Sequence, residues 1–489
     1  MHDLSTMHDK ERTVTQKSNY IDGAWVQGET ILTSLNPADP QDVIGQYASA
    51  SESQMRQAVQ AARAAAPAWE RGTTQSRSDI LFRVANEILA RKEELGALVS
   101  REAGKTQAEG QGEVVRAGQI FQFFAGEAVR YGGENLPSVR PDIGVQISRH
   151  PVGVVSMITP WNFPIAIPAW KIAPALAFGN TLVLKPSEHT PGVAWELFAI
   201  LEREGLPKGV ANLVNGEGAA AGRALLEGVD AVSFTGSVAT GRKIAAAASE
   251  HMIRVQLEMG GKNPLVVLDD ADLDVAVECA LNGAFYSAGQ RCTASSRLIV
   301  ADGIHDRFVD ALTARMRKLV VGDPRDASTQ IGPVINDQQL QKILGYIEIG
   351  RSEGASVAEG GKRADAATGG HFLRPTLFTD SNNAMRINRE EIFGPVAAVI
   401  RVSGYDEALH VANDTPFGLS SGICTTSHKL ANHFRLNVRS GLTMVNLPTA
   451  GLDYHVPFGG VKASSFGPRE QGRYAVDFYT STKTAYIGY

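Results

Sequence analysis

Short apolar runs separated by helical segments constrain the fold of this chain more than any other feature. Five such runs lie between residues 153 and 257: Gly153-Val-Val-Ser-Met-Ile158, Thr181-Leu-Val-Leu184, Ala211-Asn-Leu-Val214, Ala231-Val-Ser-Phe234 and Ile253-Arg-Val-Gln-Leu257. Helical patterns over residues 172–177, 193–204 and 223–227 lie between several of them. Short runs that are mostly apolar suit strands buried on both faces, so this order predicts a parallel sheet with helices on both sides. Such sheets bind ligands at the carboxyl ends of their strands.

The alternation begins again after Asn263-Pro-Leu-Val-Val-Leu268. Residues 298–300, 397–400 and 422–424 are further strand candidates, with a helix through Tyr286 and others around 304–319 and 337–353. This pattern predicts a second α/β domain that begins near Gly261. Upstream, Ser51 has the chemistry of a helix N-cap, and residues 77–98 and 113–128 each read as one amphipathic helix.

The two ends of the chain predict peripheral structure. Residues 1–18 are polar and suit a mobile tail, and residues 20–25 suit a hairpin with Asp22-Gly23 as its turn. The alternation over residues 144–148 predicts a strand in a small separate sheet, and residues 478–486 alternate like a terminal strand. Exposed β-branched terminal strands often pair with another chain, so we expect this chain to form a homo-oligomer.

Charge and cysteine content exclude several classes of protein. A net charge of -5 over 489 residues gives no basic surface for nucleic acid or for an anionic membrane. The three cysteines are odd in number and lack metal-ligand spacing, so we expect a reducing compartment, the cytoplasm, and no metal site. No run reaches the ~18 apolar residues of a membrane span, and no secretory signal is visible.

Cys292 is the most reactive candidate in the chain. It lies in the small-residue run Gly289-Gln-Arg-Cys292-Thr-Ala-Ser-Ser296, between a helical pattern and an apolar strand. Glu258 comes about thirty residues earlier, directly before a Gly-Gly step. A thiolate is a strong nucleophile, and a carboxylate can act as general base for a later hydrolytic step. A single cysteine is more often an inert core residue, which is our interpretation of Cys279 and Cys424.

Glu258-Met-Gly-Gly-Lys262 and Gly289-Gln-Arg-Cys292 resemble the two active-site signatures of the NAD(P)-dependent aldehyde dehydrogenases. Further stretches resemble that family in the same order, from about Tyr20 to the C-terminus. The resemblance implies an α/β fold with two doubly wound parallel-sheet domains and a small β element for oligomerisation. It assigns residues 19–127 and 151–261 to an NAD-binding domain, 262–460 to a catalytic domain, and 128–150 with 473–489 to oligomerisation strands.

Two glycine-rich stretches compete for the cofactor. Gly216-Glu-Gly218-Ala-Ala-Ala221-Gly222 follows a strand but lacks the acidic residue that a dinucleotide fingerprint places ~20 residues on. Phe234-Thr-Gly236-Ser237 follows a strand and opens a helix, which suits a phosphate, although a plain tight turn fits equally well. The resemblance favours the second stretch as the pyrophosphate turn. It also implies cofactor contacts from Thr159, Pro160, Trp161, Lys185, Ser187, Glu188, Phe234, Thr235, Gly236, Ser237, Gly260, Glu391 and Phe393.

A carboxylate on the adenosine ribose would accept from both hydroxyls and repel a 2′-phosphate. Glu188 therefore favours NAD, with NADP as the less preferred cofactor.

The resemblance also assigns catalytic roles. Cys292 would form a thiohemiacetal and then a thioester, Asn162 would hold the oxyanion, and Glu258 would activate water. Lys171 would assist proton movement, and Glu470 would relay protons to Glu258. We expect site amides and the positive nicotinamide to raise the thiolate fraction of Cys292.

Arg291, directly before the nucleophile, is the best indication of the substrate. In the family a basic residue there often accompanies aldehydes with a distal carboxylate, which a guanidinium fits well. Arg116 is the second candidate, although each arginine could equally be a solvated surface residue. The resemblance adds Phe163, Trp170 and Phe458 to the substrate site.

The C-terminal run from Asp453 to Gly472 resembles the branch that includes α-ketoglutaric semialdehyde dehydrogenases. It departs from the usual family pattern at Ser465, where glycine is commoner.

Oxidation of 2,5-dioxopentanoate (α-ketoglutaric semialdehyde) is therefore the leading hypothesis. The alternatives are a succinic semialdehyde or broad-range aldehyde dehydrogenase, a coenzyme A-acylating enzyme, and a non-catalytic binding relative. Relatives that acylate coenzyme A lack a carboxylate at the position of Glu258, and loss of Cys292 or Glu258 would mark a non-catalytic relative. Both residues are present.

Overall fold

The computed structural model describes residues 16–218, 223–365 and 368–489. The first fifteen residues of the predicted tail and the end of the Gly216–Gly222 stretch lie outside these ranges. Residues 16 and 17, which the sequence placed in the tail, instead form a strand that pairs with Gln46 and Tyr47. Within the described ranges, no helix combines the length and the apolar character needed to cross a membrane.

The strands are numbered in chain order. They are β1 Gln16–Lys17, β2 Asn19–Ile21, β3 Ala24–Val26, β4 Thr30–Asn36, β5 Asp39–Ser49, β6 Glu134–Pro137, β7 Ile143–Pro151, β8 Val154–Ile158, β9 Thr181–Lys185, β10 Ala211–Leu213, β11 Ala231–Thr235, β12 Arg254–Glu258, β13 Asn263–Val267, β14 Ser295–Ala301, β15 Ser356–Glu359, β16 Thr376–Ser381, β17 Val396–Val402, β18 Ser420–Cys424, β19 Leu442–Val445, β20 Ser465–Phe466 and β21 Thr480–Gly488.

The helices described here are numbered in the same way. They are α1 Glu52–Arg71, α2 Thr74–Ala90, α3 Lys92–Ala103, α4 Gln107–Glu127, α5 Ala166–Ala177, α6 Pro191–Arg203, α7 Val238–Glu250, α8 Leu273–Phe285, α9 Asp302–Met316, α10 Asp337–Ser352, α11 Arg386–Arg389, α12 Tyr405–Asn413, α13 His428–Asn437 and α14 Val476–Tyr479.

An eight-stranded sheet in the order β20-β12-β11-β8-β9-β10-β2-β3 contains the five predicted apolar runs. The five central strands are parallel, and β20, β2 and β3 are antiparallel to their neighbours. The β2–β3 hairpin is confirmed, with Asp22 and Gly23 both at positive φ as a tight hairpin turn requires. The strands β8, β9 and β11 are almost wholly buried, as uninterrupted apolar runs predict.

A second sheet, β15-β16-β17-β14-β13-β18-β19, contains the second alternation and is parallel except for β15. The α/β expectation with two largely parallel sheets is therefore confirmed. Cys279 and Cys424 are both buried in this half of the molecule, in agreement with their interpretation as core residues.

The predicted single helix over residues 77–98 is wrong, because α2 ends at Ala90 and α3 begins at Lys92. Arg91 between them leaves the helical conformation, and its guanidinium bonds both Glu94 and Glu196. The contact with Glu196 joins residues 105 positions apart, so the periodicity of the sequence could not show it.

The predicted terminal strand is confirmed as β21, which pairs antiparallel with β7 over nine residues. With β6 these strands form a three-stranded sheet in which β21 is an edge strand. Tyr486, Ile487 and Tyr489 at this edge are exposed. One side of β21 is thus satisfied within the chain, and its other side is available for further pairing.

Candidate active site

A cavity of about 460 Å³ lies at the carboxyl ends of β11 and β12 and next to the loop that precedes β14. Sixteen of the residues predicted for the site line it. They are Arg116, Pro160, Trp161, Asn162, Phe163, Trp170, Thr235, Gly236, Ser237, Glu258, Gly260, Arg291, Cys292, Glu391, Phe393 and Phe458. The structure therefore brings together the two signatures that carried the sequence argument.

The loop that carries Cys292 is held by unusual backbone geometry. After α8, Ser287, Ala288 and Gly289 all have positive φ, and a Cβ on Gly289 would lie only 2.1 Å from the carbonyl oxygen of Gly394. The Asn263 side chain donates to the carbonyl of Cys292 at 2.8 Å. These contacts hold the half-buried thiol against the cavity.

Burial is the largest cause that raises the pKa of the Cys292 thiol to about 12, and the carboxylates Glu391 and Glu258 add to it. The amides of Cys292 and Thr293 lower this pKa, as expected, but are outweighed. The expected gain in thiolate is therefore absent from the protein alone. Arg291 does not supply it either, because its guanidinium contacts Glu109 at 3.4 Å.

Asn162 lies between β8 and α5 and is almost fully buried. Its side-chain nitrogen donates to the carbonyl of Gln290 at 3.0 Å, which ties it to the Cys292 loop. An amide nitrogen carries two hydrogens, so one N–H remains for a ligand. An uncharged donor beside a nucleophile is suited to hold a developing oxyanion.

Glu113 on α4 positions this Asn162 loop, and sequence reasoning missed it. Its Oε1 accepts from the backbone N–H groups of Ile165 and Ala166 at 3.0 and 3.1 Å, and its Oε2 pairs with Lys105 at 2.6 Å. Both members of this pair are buried and line the cavity. In the sequence Glu113 is one of several acidic residues on an amphipathic helix, which gave no signal of its partners.

Behind the cavity, Glu470 and Lys171 form a buried ion pair in contact with Ser233. Glu470 Oε2 is buried without a hydrogen-bond partner among the described residues. Neither residue lines the cavity, but both are close enough to Glu258 to shift its pKa, which Glu470 raises and Lys171 lowers. This arrangement is compatible with a relay of protons from Glu258 inward.

Glu258 ends β12 and is 2% exposed. Its Oε2 accepts from the hydroxyl of Ser465 at 2.6 Å. Burial is the largest cause that raises the pKa of Glu258 well above its usual range, and Glu470 raises it further, whereas Ser465 lowers it. A carboxyl with a raised pKa in a cavity is a candidate general base.

The residues predicted for the cofactor fall into two groups. Ser237 caps α7 at the cavity, so the free amides at this helix N-terminus face the cavity. Glu391 and Phe393 also line the cavity. Glu391 accepts a hydrogen bond from the backbone N–H of Gly261 at 2.9 Å, and the rings of Phe393 and Trp161 pack edge-to-face with their centroids 5.5 Å apart. The residues that lie away from the cavity lining are Thr159, Lys185, Ser187, Glu188 and Phe234.

Among the predicted cofactor residues outside the cavity lining, Lys185 Nζ and Glu188 Oε2 lie 3.5 Å apart. The lysine is buried, and the glutamate is partly exposed. A partly exposed carboxylate at the end of a parallel strand can accept from ligand hydroxyls.

Gly260 and Gly236 allow side chains of the protein to pack closely against the backbone at the cavity wall. A Cβ on Gly260 would lie 2.0 Å from Glu391 Oε2, and one on Gly236 would lie 2.5 Å from the ring of Phe234. Thr235 Oγ1 is buried, and no described residue accepts from it or donates to it. Together with the amides at Ser237, this unpartnered hydroxyl fits the phosphate groups of a dinucleotide.

The two arginines predicted for the substrate differ in their partners. Arg291 bonds Glu109, Ser287 and Asn282. Arg116 donates only to neutral oxygens, those of Leu452 and Gln471. Among the described residues no carboxylate lies within salt-bridge distance of Arg116, and its Nε is buried without a partner.

Aromatic rings complete the same part of the cavity. Trp170 and Phe458 lie with their ring centroids 5.7 Å apart. The Lys105 ammonium lies 3.6 Å from the centroid of the Phe163 ring. These rings give the cavity beside Cys292 an apolar part, which is also lined by Arg116 and by the Lys105–Glu113 ion pair.

Comparison with known proteins agrees with this geometry. The model of the aldehyde dehydrogenase family matches residues 25–485. The chain is 42% identical to α-ketoglutaric semialdehyde dehydrogenase of Bacillus subtilis, over 96% of this chain and 97% of that protein. It is 45% identical to α-ketoglutarate semialdehyde dehydrogenase of Haloferax volcanii, over 96% and 99%. Among solved structures, betaine aldehyde dehydrogenase from Staphylococcus aureus in complex with NAD+ is 36% identical over 97% and 95% of the two chains, with a TM-score of 0.95.

Proposed function

The chain belongs to the aldehyde dehydrogenase family, and from that premise we propose that it oxidises a small aldehyde with a distal carboxylate, first of all 2,5-dioxopentanoate. The observation that carries the proposal is Arg116, a guanidinium in the same cavity as Cys292 that has only neutral partners. A guanidinium without a carboxylate partner favours an anionic ligand. The names of the two semialdehyde dehydrogenases support the same choice.

NAD is the cofactor we propose. The amides beside Ser237 would hold its pyrophosphate, Glu188 the adenosine ribose, and Glu391 with Phe393 the nicotinamide end. When bound, NAD accepts the hydride that leaves the aldehyde carbon. Because Glu188 would meet a 2′-phosphate with like charge, we propose that NAD is preferred over NADP.

In the first half of the reaction the Cys292 sulfur bonds to the aldehyde carbon. The thiol gives its proton to water in the cavity, and the carbonyl oxygen becomes an oxyanion as the carbon–sulfur bond forms. Asn162 donates its remaining amide N–H to that oxyanion, in a site that Glu113 holds in place through the backbone of Ile165 and Ala166. Loss of hydride restores the carbonyl as a thioester on Cys292.

In the second half Glu258 takes a proton from water, and the water oxygen attacks the thioester carbon. The carbon–sulfur bond breaks, and the acid leaves. Glu258 then passes its proton inward to the Glu470–Lys171 pair. Water is the acyl acceptor in this scheme, and coenzyme A is not needed.

A second candidate is a quaternary ammonium aldehyde, as the name of the Staphylococcus aureus structure suggests. The tilted pair of Trp170 and Phe458 supports it, because aromatic faces attract such cations. Arg116 opposes it, because this cation lines the same cavity and has only neutral partners.

The experiment compares purified protein with NAD on 2,5-dioxopentanoate, succinic semialdehyde and betaine aldehyde, each with and without coenzyme A. We expect kcat/KM to be highest for 2,5-dioxopentanoate and unaffected by coenzyme A. A preference for betaine aldehyde would overturn the substrate proposal, and a requirement for coenzyme A would overturn the hydrolytic step.

We also propose that the protein is a cytoplasmic homodimer or homotetramer. The three cysteines are free, which suits a reducing compartment, and the open edge of β21 offers a strand for pairing. The domain limits predicted from the sequence, with the division near Gly261, fit the change from the first large sheet to the second.

A further inference from the structure

Ser465 of β20, which was not among the site residues predicted from the sequence, is the residue that bonds Glu258. The strand register pairs Glu258 of β12 directly with Ser465 of β20. The Ser465 Oγ lies 2.6 Å from Glu258 Oε2. A glycine at this position would offer no side chain to the carboxylate.

The direction of this hydrogen bond is fixed by a second contact. The backbone N–H of Gly460 donates to the same Ser465 Oγ at 2.6 Å. A hydroxyl that accepts from an amide has its single hydrogen free to donate, and the ionised carboxylate beside it can only accept. Ser465 therefore acts as a donor to the ionised form of Glu258.

We propose that Ser465 is a positioning residue for the hydrolytic half of the reaction, because its hydroxyl holds Glu258 by Oε2 and leaves Oε1 to take the proton from water. This inference rests on the proposed function, in which Glu258 is the general base. Water gives its proton to Oε1, its oxygen bonds to the thioester carbon, and the carbon–sulfur electron pair returns to Cys292. The hydroxyl of Ser465 keeps its hydrogen throughout.

The charges that face Glu258 decide what the loss of the hydroxyl would do. Glu470 raises the pKa of Glu258, whereas Lys171 and Arg469 lower it, and the Cys292 thiol faces it across the cavity. Ser465 is the one hydrogen-bond donor to this carboxylate in the described part of the chain. Without it, burial and Glu470 are opposed only by the two more distant cations, so less of the base is ionised at a given pH.

The test uses p-nitrophenyl acetate without NAD, because attack of Cys292 on this ester releases p-nitrophenolate and leaves an acetyl thioester. The size of the initial burst reports acylation, and the later steady rate reports hydrolysis. In Ser465→Ala and Ser465→Gly we expect a burst of unchanged size and a slower steady rate. Mass spectrometry of the acid-quenched protein should show more acetylated Cys292.

The pH profile separates a positioning role from a structural one. The free energy of a hydrogen bond to a charged group is large enough that its loss should move the acid limb of the pH profile of the steady rate upward by about one pH unit or more. We expect that shift in both Ser465 variants, and its reversal in Ser465→Thr, which keeps a hydroxyl. The same shift should appear in kcat for aldehyde oxidation with NAD.

The matched control is Ser464→Ala. The Ser464 hydroxyl accepts from the backbone of Gly418 at 3.0 Å and does not contact Glu258, so this variant perturbs the same loop without touching the base. We expect the acid limb of its pH–rate profile to match that of the wild type within experimental error. An equal shift in Ser464→Ala would overturn the inference.

Two further outcomes are distinguishable. If the wild type turns over normally and the acid limb of the pH–rate profile is unshifted in Ser465→Ala, this inference alone is overturned. A wild type with neither an ester burst nor NADH formation would overturn the proposed function, and this inference with it.

Discussion

Cys292 and Glu258 both carry pKa values displaced upward, and burial is the largest cause for each. The shifts have opposite practical meanings. A thiol with a raised pKa stays protonated at neutral pH and is therefore a poor nucleophile until a ligand changes its surroundings. For a general base it moves the proton affinity toward neutral pH, where transfer from water is most effective.

The first prediction concerns the reactivity of Cys292. With a pKa of about 12, the thiolate fraction should rise about tenfold per pH unit from pH 7 to pH 10. We expect the rate of alkylation of Cys292 by iodoacetamide in the NAD-free protein to follow that slope, as measured by mass spectrometry of the modified peptide. Buried Cys279 and Cys424 serve as internal controls and should stay unmodified. A plateau near pH 8.5 would contradict the prediction.

The second prediction concerns the substrate. In Arg116→Gln we expect kcat/KM for 2,5-dioxopentanoate to fall about 10- to 100-fold, the loss of one charged hydrogen bond. For propionaldehyde, which has no carboxylate, we expect a change below about threefold. Arg291→Gln is the comparison, and because Arg291 contacts Glu109 and Ser287 in the nucleophile loop, it should affect both aldehydes alike. Equal losses for both aldehydes in Arg116→Gln would remove Arg116 from the substrate site.

At the scale of elements, Glu113 of α4 accepts two hydrogen bonds from the backbone N–H groups at the start of α5. It also forms a buried ion pair with Lys105, which lies just before α4. Because the Asn162 loop lies between β8 and α5, α4 holds in place the Asn162 amide that would donate to the oxyanion. The Asn162 loop is thus held by the same helix, α4, that carries Arg116.

The third prediction concerns Glu113. Glu113→Ala leaves the Lys105 ammonium and two amides without partners, so we expect the free energy of unfolding to fall by about 3–5 kcal/mol. Adding Lys105→Met should recover part of the loss, because the uncompensated charge is removed. Denaturant unfolding of the two single variants and the double variant measures the coupling. Losses that simply add would show that the pair does not interact.

Sequence patterns predicted the elements well where the signal was local. Uninterrupted apolar runs marked β8, β9 and β11, and the Asp22-Gly23 turn marked the first hairpin. The break at Arg91 and the role of Glu113 were not predicted, because both depend on partners more than fifty residues away. About half of the cavity lining was anticipated through the family signatures. The direction of Arg291 toward Glu109 depends on packing that no short motif encodes.

At the scale of the whole molecule, the three-stranded sheet of β6, β7 and β21 ends in an exposed edge. The apolar residues Tyr486 and Ile487 of β21 are exposed, and so is the last residue, Tyr489. Leu136 on β6, at the other edge of the sheet, is exposed as well. An edge strand with apolar side chains is a template for pairing with a second chain.

The fourth prediction concerns assembly. Ile487→Asp places a charge on the β21 edge, so we expect the molar mass in light scattering to fall relative to the wild type. Lys483→Asp, on the same strand, is the comparison for a change of charge alone. A wild type that is monomeric at micromolar concentration, or an unchanged mass in Ile487→Asp, would contradict the prediction.

The contact between Gly289 and Gly394 has a consequence for redesign. The turn that presents the sulfur and the segment that follows Phe393 touch main chain to main chain, with no side chain to absorb a mismatch. If only one of these segments were replaced by that of a homologue, any difference in its backbone position would displace the backbone of the other. Chimeras that swap both segments together should keep their turnover, and those that swap one should lose it.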